Sequence, residues 1–122
     1  MLLNTFYIVE KTEIKEHLTI VSVKINRNHA VFAGHFPEQA VIPGVFSLQM
    51  LKECLENLVQ QKLQYAELMN CKFSQVIIPT ENQILDLEYN YEWENEYLLL
   101  KTAVKEGENT KLSLKAKLIP VV

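Results

Sequence analysis

Glycine is scarce in this chain, with three residues in 122, and there are only four prolines and two cysteines. Cys54 and Cys71 cannot build a disulfide framework, and neither lies in a Cys-x-x-Cys pair. Reduced thiols in a cytoplasmic protein are the expectation. Neither cysteine has a base at a recognisable spacing, so neither is expected to be a catalytic thiol. No apolar run approaches the roughly 20 residues that span a bilayer, so no membrane helix is expected. The opening residues, MLLNTFYIVEKTEIKEHL, lack a basic n-region, an apolar h-region and a small-residue cleavage site, and export is not expected. The three histidines are not clustered, so no metal site and no cofactor are expected. A formal net charge of −3 argues against a general nucleic-acid binder.

What remains is ordinary globular material: 48% apolar and 22% charged residues. Residues 1–122 are expected to form a single domain, long enough to bury a core. Charge is unevenly spread. Residues 81–96 carry six acids and no Lys or Arg, whereas residues 101–122 carry five lysines against two acids. Solvated strand faces explain this. A basic edge that meets an acidic partner is the sharper alternative.

No repeat, low-complexity tract or linker interrupts the chain. LTIVSVKI, residues 18–25, is rich in β-branched residues and predicts a strand. From Gly44 the period changes. Val45, Leu48, Leu51, Leu55, Leu58 and Val59 share one side of a helix, and Phe46, Met50 and Cys54 extend the apolar arc. The polar strip is narrow: Gln49, Glu53, Glu56 and Gln60. A mostly buried helix of about 18 residues is predicted, ending near 61–63. Pro43 suits its start, where a missing N–H costs no hydrogen bond. Strands should then run to the end. CKFSQVIIP is predicted to be extended as far as Pro79. In ILDLEYNYEW the residues Leu85, Leu87, Tyr89, Tyr91 and Trp93 alternate with polar ones, giving one buried and one wet face. Asn95–Glu96 and the EGEN stretch at 106–109 predict hairpin turns. KLSLKAKL then alternates again. One strand, one long apolar helix and a meander of three to four strands make an α+β layout.

Two of the three glycines and two of the four prolines fall in AGHFPEQAVIPGVFSLQML, residues 33–51. Gly34, His35, Phe36 and Pro37 are followed by Val41, Ile42, Pro43, Gly44 and Val45. This pair of blocks, at this spacing, resembles the 3-hydroxyacyl-ACP dehydratases of the FabA/FabZ type. CKFSQVIIPTENQILDLEY, at 71–89, is similar to a second family segment. The resemblance implies a hotdog fold, a curved antiparallel sheet wrapped around one long helix. It also implies a homodimer whose active sites are shared, His35 of one subunit facing the helix position of the other. The substrate would be an acyl group on the phosphopantetheine arm of acyl carrier protein. Lys111, Lys115 and Lys117, with Lys72 and Arg27, are candidate contacts for that acidic partner.

Dehydrating a 3-hydroxyacyl thioester needs a base at C2, a donor to the enolate-like oxygen and an acid for the departing hydroxyl. The resemblance gives His35 the first role, and imidazole suits it. Gly44, at a helix N-terminus, is placed for the second through its backbone N–H. Phe36, Pro37, Val45 and Glu53 are the further substrate-site candidates. His17 and His29 are expected to be surface or satisfied polar residues.

The family pattern puts its acid five residues after the Gly of Pro-Gly. Here that residue is Gln49, and an amide cannot deliver a proton. Position 53, commonly Gln in the pattern, is Glu, as if the two had traded places. Three alternatives follow. Gln49 positions the hydroxyl or a water while His35 is both base and acid. Glu53 supplies the acid from one turn further along. Or dehydration is lost, leaving a non-catalytic acyl-thioester-binding subunit or an acyl thioesterase, for which Glu38 and Glu53 are the nearest acids. Fold alone cannot separate these.

Overall fold

The computed structural model describes residues 1–34 and 40–121. Its order is β1 (Tyr7–Ile14), β2 (Thr19–Ile25), α1 (Val31–Gly34), α2 (Gly44–Val59), β3 (Leu63–Phe73), β4 (Ile84–Glu94), β5 (Tyr97–Glu106) and β6 (Asn109–Pro120). The six strands form one sheet in the order β1-β2-β4-β5-β6-β3, and every neighbouring pair is antiparallel. The chain leaves β2, passes through α2, lays β3 on the far edge and returns to place β4 beside β2. The α+β expectation therefore holds, with α2 as the one main helix.

The alternation in the last third does its work here. Leu85, Leu87 and Tyr89 of β4, Leu98, Leu100 and Val104 of β5, and Leu112, Leu114, Ala116 and Leu118 of β6 all point into the core. Met50, Leu51, Cys54 and Leu55 of α2 complete that core. Two tyrosines tie the helix to the sheet: the Tyr89 hydroxyl donates to the Leu51 carbonyl (2.9 Å) and the Tyr65 hydroxyl to the Leu48 carbonyl (2.7 Å). Each fully buried leucine or methionine contributes about 1.5–3 kcal/mol of transfer free energy. Both expected hairpin turns are present. Asn95 (φ 56°) and Gly107 (φ 61°) take the left-handed backbone that such turns require.

Five expectations need correction. Two strands, β1 and β2, precede the helix where one was expected, since Tyr7–Ile14 pairs antiparallel with β2. The helix spans 16 residues and stops at Val59, where Gln60 turns left-handed (φ 57°). CKFSQVIIP is a strand only to Phe73. Beyond it the chain is irregular, because Ser74 and Gln75 both donate to the Lys111 carbonyl and Ile77 accepts from the Ile42 N–H (2.8 Å). Trp93, expected on the buried face, is 42% exposed near the end of β4. The polar strip of α2 is not uniformly wet: Glu53 is buried, whereas the apolar Val45 is 70% exposed.

Candidate functional site

The irregular stretch after β3 is what shapes the site. The Ile42–Ile77 hydrogen bond holds the segment that leads into α2 against the chain at 74–77. Gln83 fixes the other end of this loop, donating to the Ile78 carbonyl (2.9 Å) and to Glu106 (3.0 Å). An apolar groove of about 630 Å³ opens between the two segments, lined by Val41–Val45, Phe73, Val76, Ile77 and Leu112 among others.

The N-terminus of α2 forms one wall of this groove. Pro43 is extended (φ −61°, ψ 141°) and makes no side-chain cap. Phe46 and Ser47 donate to the Pro43 carbonyl at 3.0 and 3.3 Å. The preceding N–H groups, of Gly44 and Val45, find no acceptor among the described residues. No acid lies in the first helical turn to neutralise the dipole. Two residues whose N–H groups have no acceptor among the described residues, at the positive end of a helix, therefore line an apolar groove, an arrangement that favours negative charge on a bound oxygen.

Gly44 carries a steric constraint as well. A Cβ built there would lie 2.9 Å from two atoms of the Phe73 ring. Phe73 itself is 54% exposed, so the ring can give way. Gly44→Ala is therefore expected to change stability by less than about 1 kcal/mol while displacing Phe73 and crowding the amide. The expected cost in turnover is about 10–10²-fold, checked by pairing urea denaturation with steady-state kinetics.

Gln49 and Glu53 lie further along the helix and form a second cluster. Glu53 is only 6% exposed. Its carboxylate accepts from the N–H of Leu2 (2.9 and 3.1 Å), the N–H of Leu3 (3.0 Å), the Tyr7 hydroxyl (3.0 Å) and the Gln49 amide (2.8 Å). Burial alone would raise its pKa. The hydrogen bonds from Leu2, Gln49, Tyr7 and Leu3 outweigh burial and hold it below the ordinary value of 4.5. An ionised, fully partnered carboxylate is a poor proton donor. Its direct partners are the N-terminal segment and Gln49, and it does not line the groove among the described residues.

That pairing sets a pH dependence. The folded pKa is depressed, so the stabilisation is complete above the unfolded value and is lost as pH falls through the folded one. Glu53→Gln is therefore expected to lower Tm at neutral pH. The gap from wild type should narrow as pH drops below about 4.5, as read by thermal melts across pH 3–7.

Gly44 and Val45 thus meet in the groove, and Gln49 meets Glu53. The two groups lie about 7.5 Å apart along the helix axis. His35, Phe36 and Pro37, together with Glu38, lie outside the described residues. His29 is structural: its Nδ1 accepts from the Val31 N–H (3.0 Å), and its ring packs edge-on against Phe6 and Phe46. His17 is exposed beside Glu16. Burial pushes the Cys54 thiol up to about 11, which keeps it protonated at neutral pH. Of the candidate lysines, Lys111 reaches Gln75 (3.0 Å) and lines the groove, and Lys117 lies over the Tyr97 ring. The sequence reading gave Phe73 no role. Its one signal was the Lys-Phe pair at the start of the second family-like segment.

A family model described as ApeI-like, ApeI dehydratase, matches residues 10–114. The chain belongs to the ApeI-like dehydratase family. Its relatives include the 3-hydroxyacyl-acyl-carrier-protein dehydratase FabZ of Geobacillus thermodenitrificans, 30% identical over 92 residues. That alignment covers 68% of this chain and 63% of the FabZ protein, so the chain spans somewhat less than two thirds of that relative. Among solved structures, the dehydratase heterocomplex ApeI:P from Xenorhabdus doucetiae matches with a TM-score of 0.73 at 21% identity. The match covers 92% of this chain and 96% of that one. An uncharacterized protein from Erwinia carotovora subsp. atroseptica matches with a TM-score of 0.66 at 24% identity, over 93% and 94% of the two chains. The FabA/FabZ-like resemblance is thereby borne out, and the six-stranded antiparallel sheet with one main helix is consistent with the hotdog fold.

Proposed function

We propose that this ApeI-like protein dehydrates 3-hydroxyacyl thioesters carried on acyl carrier protein to trans-2-enoyl thioesters, in fatty-acid or polyene-type assembly. The observation that carries the reading is the pair of free N–H groups at Gly44 and Val45, opening onto an apolar groove. Family membership supplies the reaction class.

In this reading the acyl chain lies in the groove, and the thioester oxygen accepts from the Gly44 N–H. His35 removes a proton from C2, and the charge that develops on the oxygen is held by the amide and the helix dipole. The C3–O bond breaks as the C2–C3 double bond forms. The imidazolium returns its proton to the departing hydroxyl, and water leaves. Gln49 orients the hydroxyl without supplying a proton. The family resemblance implies a homodimer that brings His35 of one subunit to Gln49 of its mate.

A second reading has its own support. The Xenorhabdus doucetiae relative is a heterocomplex, and this chain carries an amide where the family pattern has an acid. It would then be the acyl-thioester-binding subunit beside an acid-bearing partner. Mass spectrometry of a panel of 3-hydroxyacyl-ACPs, incubated with the purified chain, separates these outcomes. Loss of water supports the dehydratase. No change in any substrate sinks it and leaves the heteromeric subunit. Release of free acid without enoyl product makes the chain a thioesterase.

A further inference from the structure

Resting on the dehydratase reading, the geometry points to Glu53 as the positioning residue that sets which end of the Gln49 amide faces the substrate, making Gln49 an acceptor that selects thioesters bearing a 3-hydroxyl. The two ends of an amide are nearly equal in shape, so packing does not choose between them. Partner chemistry does. An ionised carboxylate accepts and never donates. Gln49 must therefore turn its Nε2 toward Glu53, where the contact is 2.8 Å. A flipped amide would bring Oε1 against a carboxylate oxygen, two acceptors with no proton between them.

Glu53 cannot move away to relieve such a clash. It is buried, and Leu2, Leu3 and Tyr7 hold it through three further donors. The Gln49 carbonyl oxygen is left without a partner among the described residues, on a half-buried side chain with no buried unsatisfied atom. At the position where the family pattern has its acid, this chain thus presents a fixed acceptor. A 3-hydroxyl has a proton to give it, whereas an enoyl or saturated acyl group has none. One neutral hydrogen bond corresponds to a preference of about 3–10-fold.

Glu53→Gln reverses the geometry. The Leu3 N–H and the Tyr7 hydroxyl bond Oε1 alone and the Leu2 N–H is shared between both oxygens, so the new carbonyl keeps the Oε1 place and the new NH₂ faces Gln49. The Gln49 amide then flips and offers N–H outward. Calorimetry with 3-hydroxyoctanoyl-pantetheine and octanoyl-pantetheine reads the preference as a ratio of affinities. The ratio is expected to fall about 3–10-fold in Glu53→Gln and in Gln49→Met, with no further fall in the double variant. Tyr7→Phe removes a different hydrogen bond from the same carboxylate, so it reports any purely structural effect and should leave the ratio alone. An unchanged ratio in Glu53→Gln, or an equal fall in Tyr7→Phe, overturns the inference. A ligand-free measurement stands beside it: by NMR, one Gln49 side-chain amide proton should lie downfield and exchange slowly with solvent in wild type, as a donor to a buried carboxylate does, and should lose both features in Glu53→Gln. Gln49 amide protons with the shifts and solvent exchange of a free glutamine in wild type overturn the inference whatever binds. Failure of both analogues to bind the wild type overturns the dehydratase reading instead.

Discussion

Replacing His35 by alanine is expected to lower the dehydration rate by about 10²–10⁴-fold with little change in fold stability. The reason lies in what this chain lacks. With Gln49 at the usual acid position, no second proton-transfer group is available from the helix, since Glu53 is ionised and fully partnered. In the proposed mechanism one imidazole takes the C2 proton and returns it to the hydroxyl. Its removal takes away both roles, so the loss should fall at the upper end of that range. In the proposed reading binding rests on the groove and the Gly44 amide, which the substitution leaves in place. The effect should therefore appear in kcat with KM nearly constant. Parallel loss of binding and turnover would place His35 in the scaffold and not in the chemistry.

The second large effect is a gain. The swap Gln49→Glu with Glu53→Gln is expected to raise the dehydration rate by about 10²–10⁴-fold, because it returns a proton donor to the leaving-group side. The swap must be double. Gln49→Glu alone would set two carboxyl groups where an amide and a carboxylate now meet at 2.8 Å. Two like charges at that separation cannot both persist, so the pair would share one proton and titrate as a unit. The shared proton raises one folded pKa, and the single variant should lose stability as pH rises past the ordinary carboxylate range. The double variant keeps one acid and one amide and avoids this. Thermal melts across pH distinguish the two, and kinetics of the double variant decide the rate. An unchanged rate would mean that the helix position does not face the leaving hydroxyl. A chain inactive as wild type but active after the swap would favour an acid supplied in nature by a partner subunit.

Much of the fold could be read along the chain because its signals are local. Strict alternation marks β4 and β6, a shift to helical period marks α2, and Asn95 and Gly107 mark the turns between strands. Pro43 and Gly44 mark the helix start for stereochemical reasons that no distant residue alters. Long-range pairing was hidden. Nothing near 63–73 shows that β3 lies on the far edge beside β6, nor that the apolar Val76 and Ile77 form a groove wall and not a strand. Glu53 shows the same limit at one side chain. Helical periodicity puts it on a polar strip, which is correct, but its burial comes from Leu2, Leu3 and Tyr7, about 50 residues away in sequence. The Gln49–Glu53 trade was visible as an oddity of residue type. That the two touch, and in which orientation, needed coordinates.

The most direct test follows the C2 hydrogen. A 3-hydroxyacyl thioester of acyl carrier protein is incubated with the protein in D₂O, and its mass is followed with wild type and with His35→Ala. Loss of water, or deuterium uptake at C2 of the remaining substrate, is expected with wild type and absent with the variant. An unchanged mass with wild type, or the same change with both proteins, would mean that imidazole and amide do not act together on one thioester.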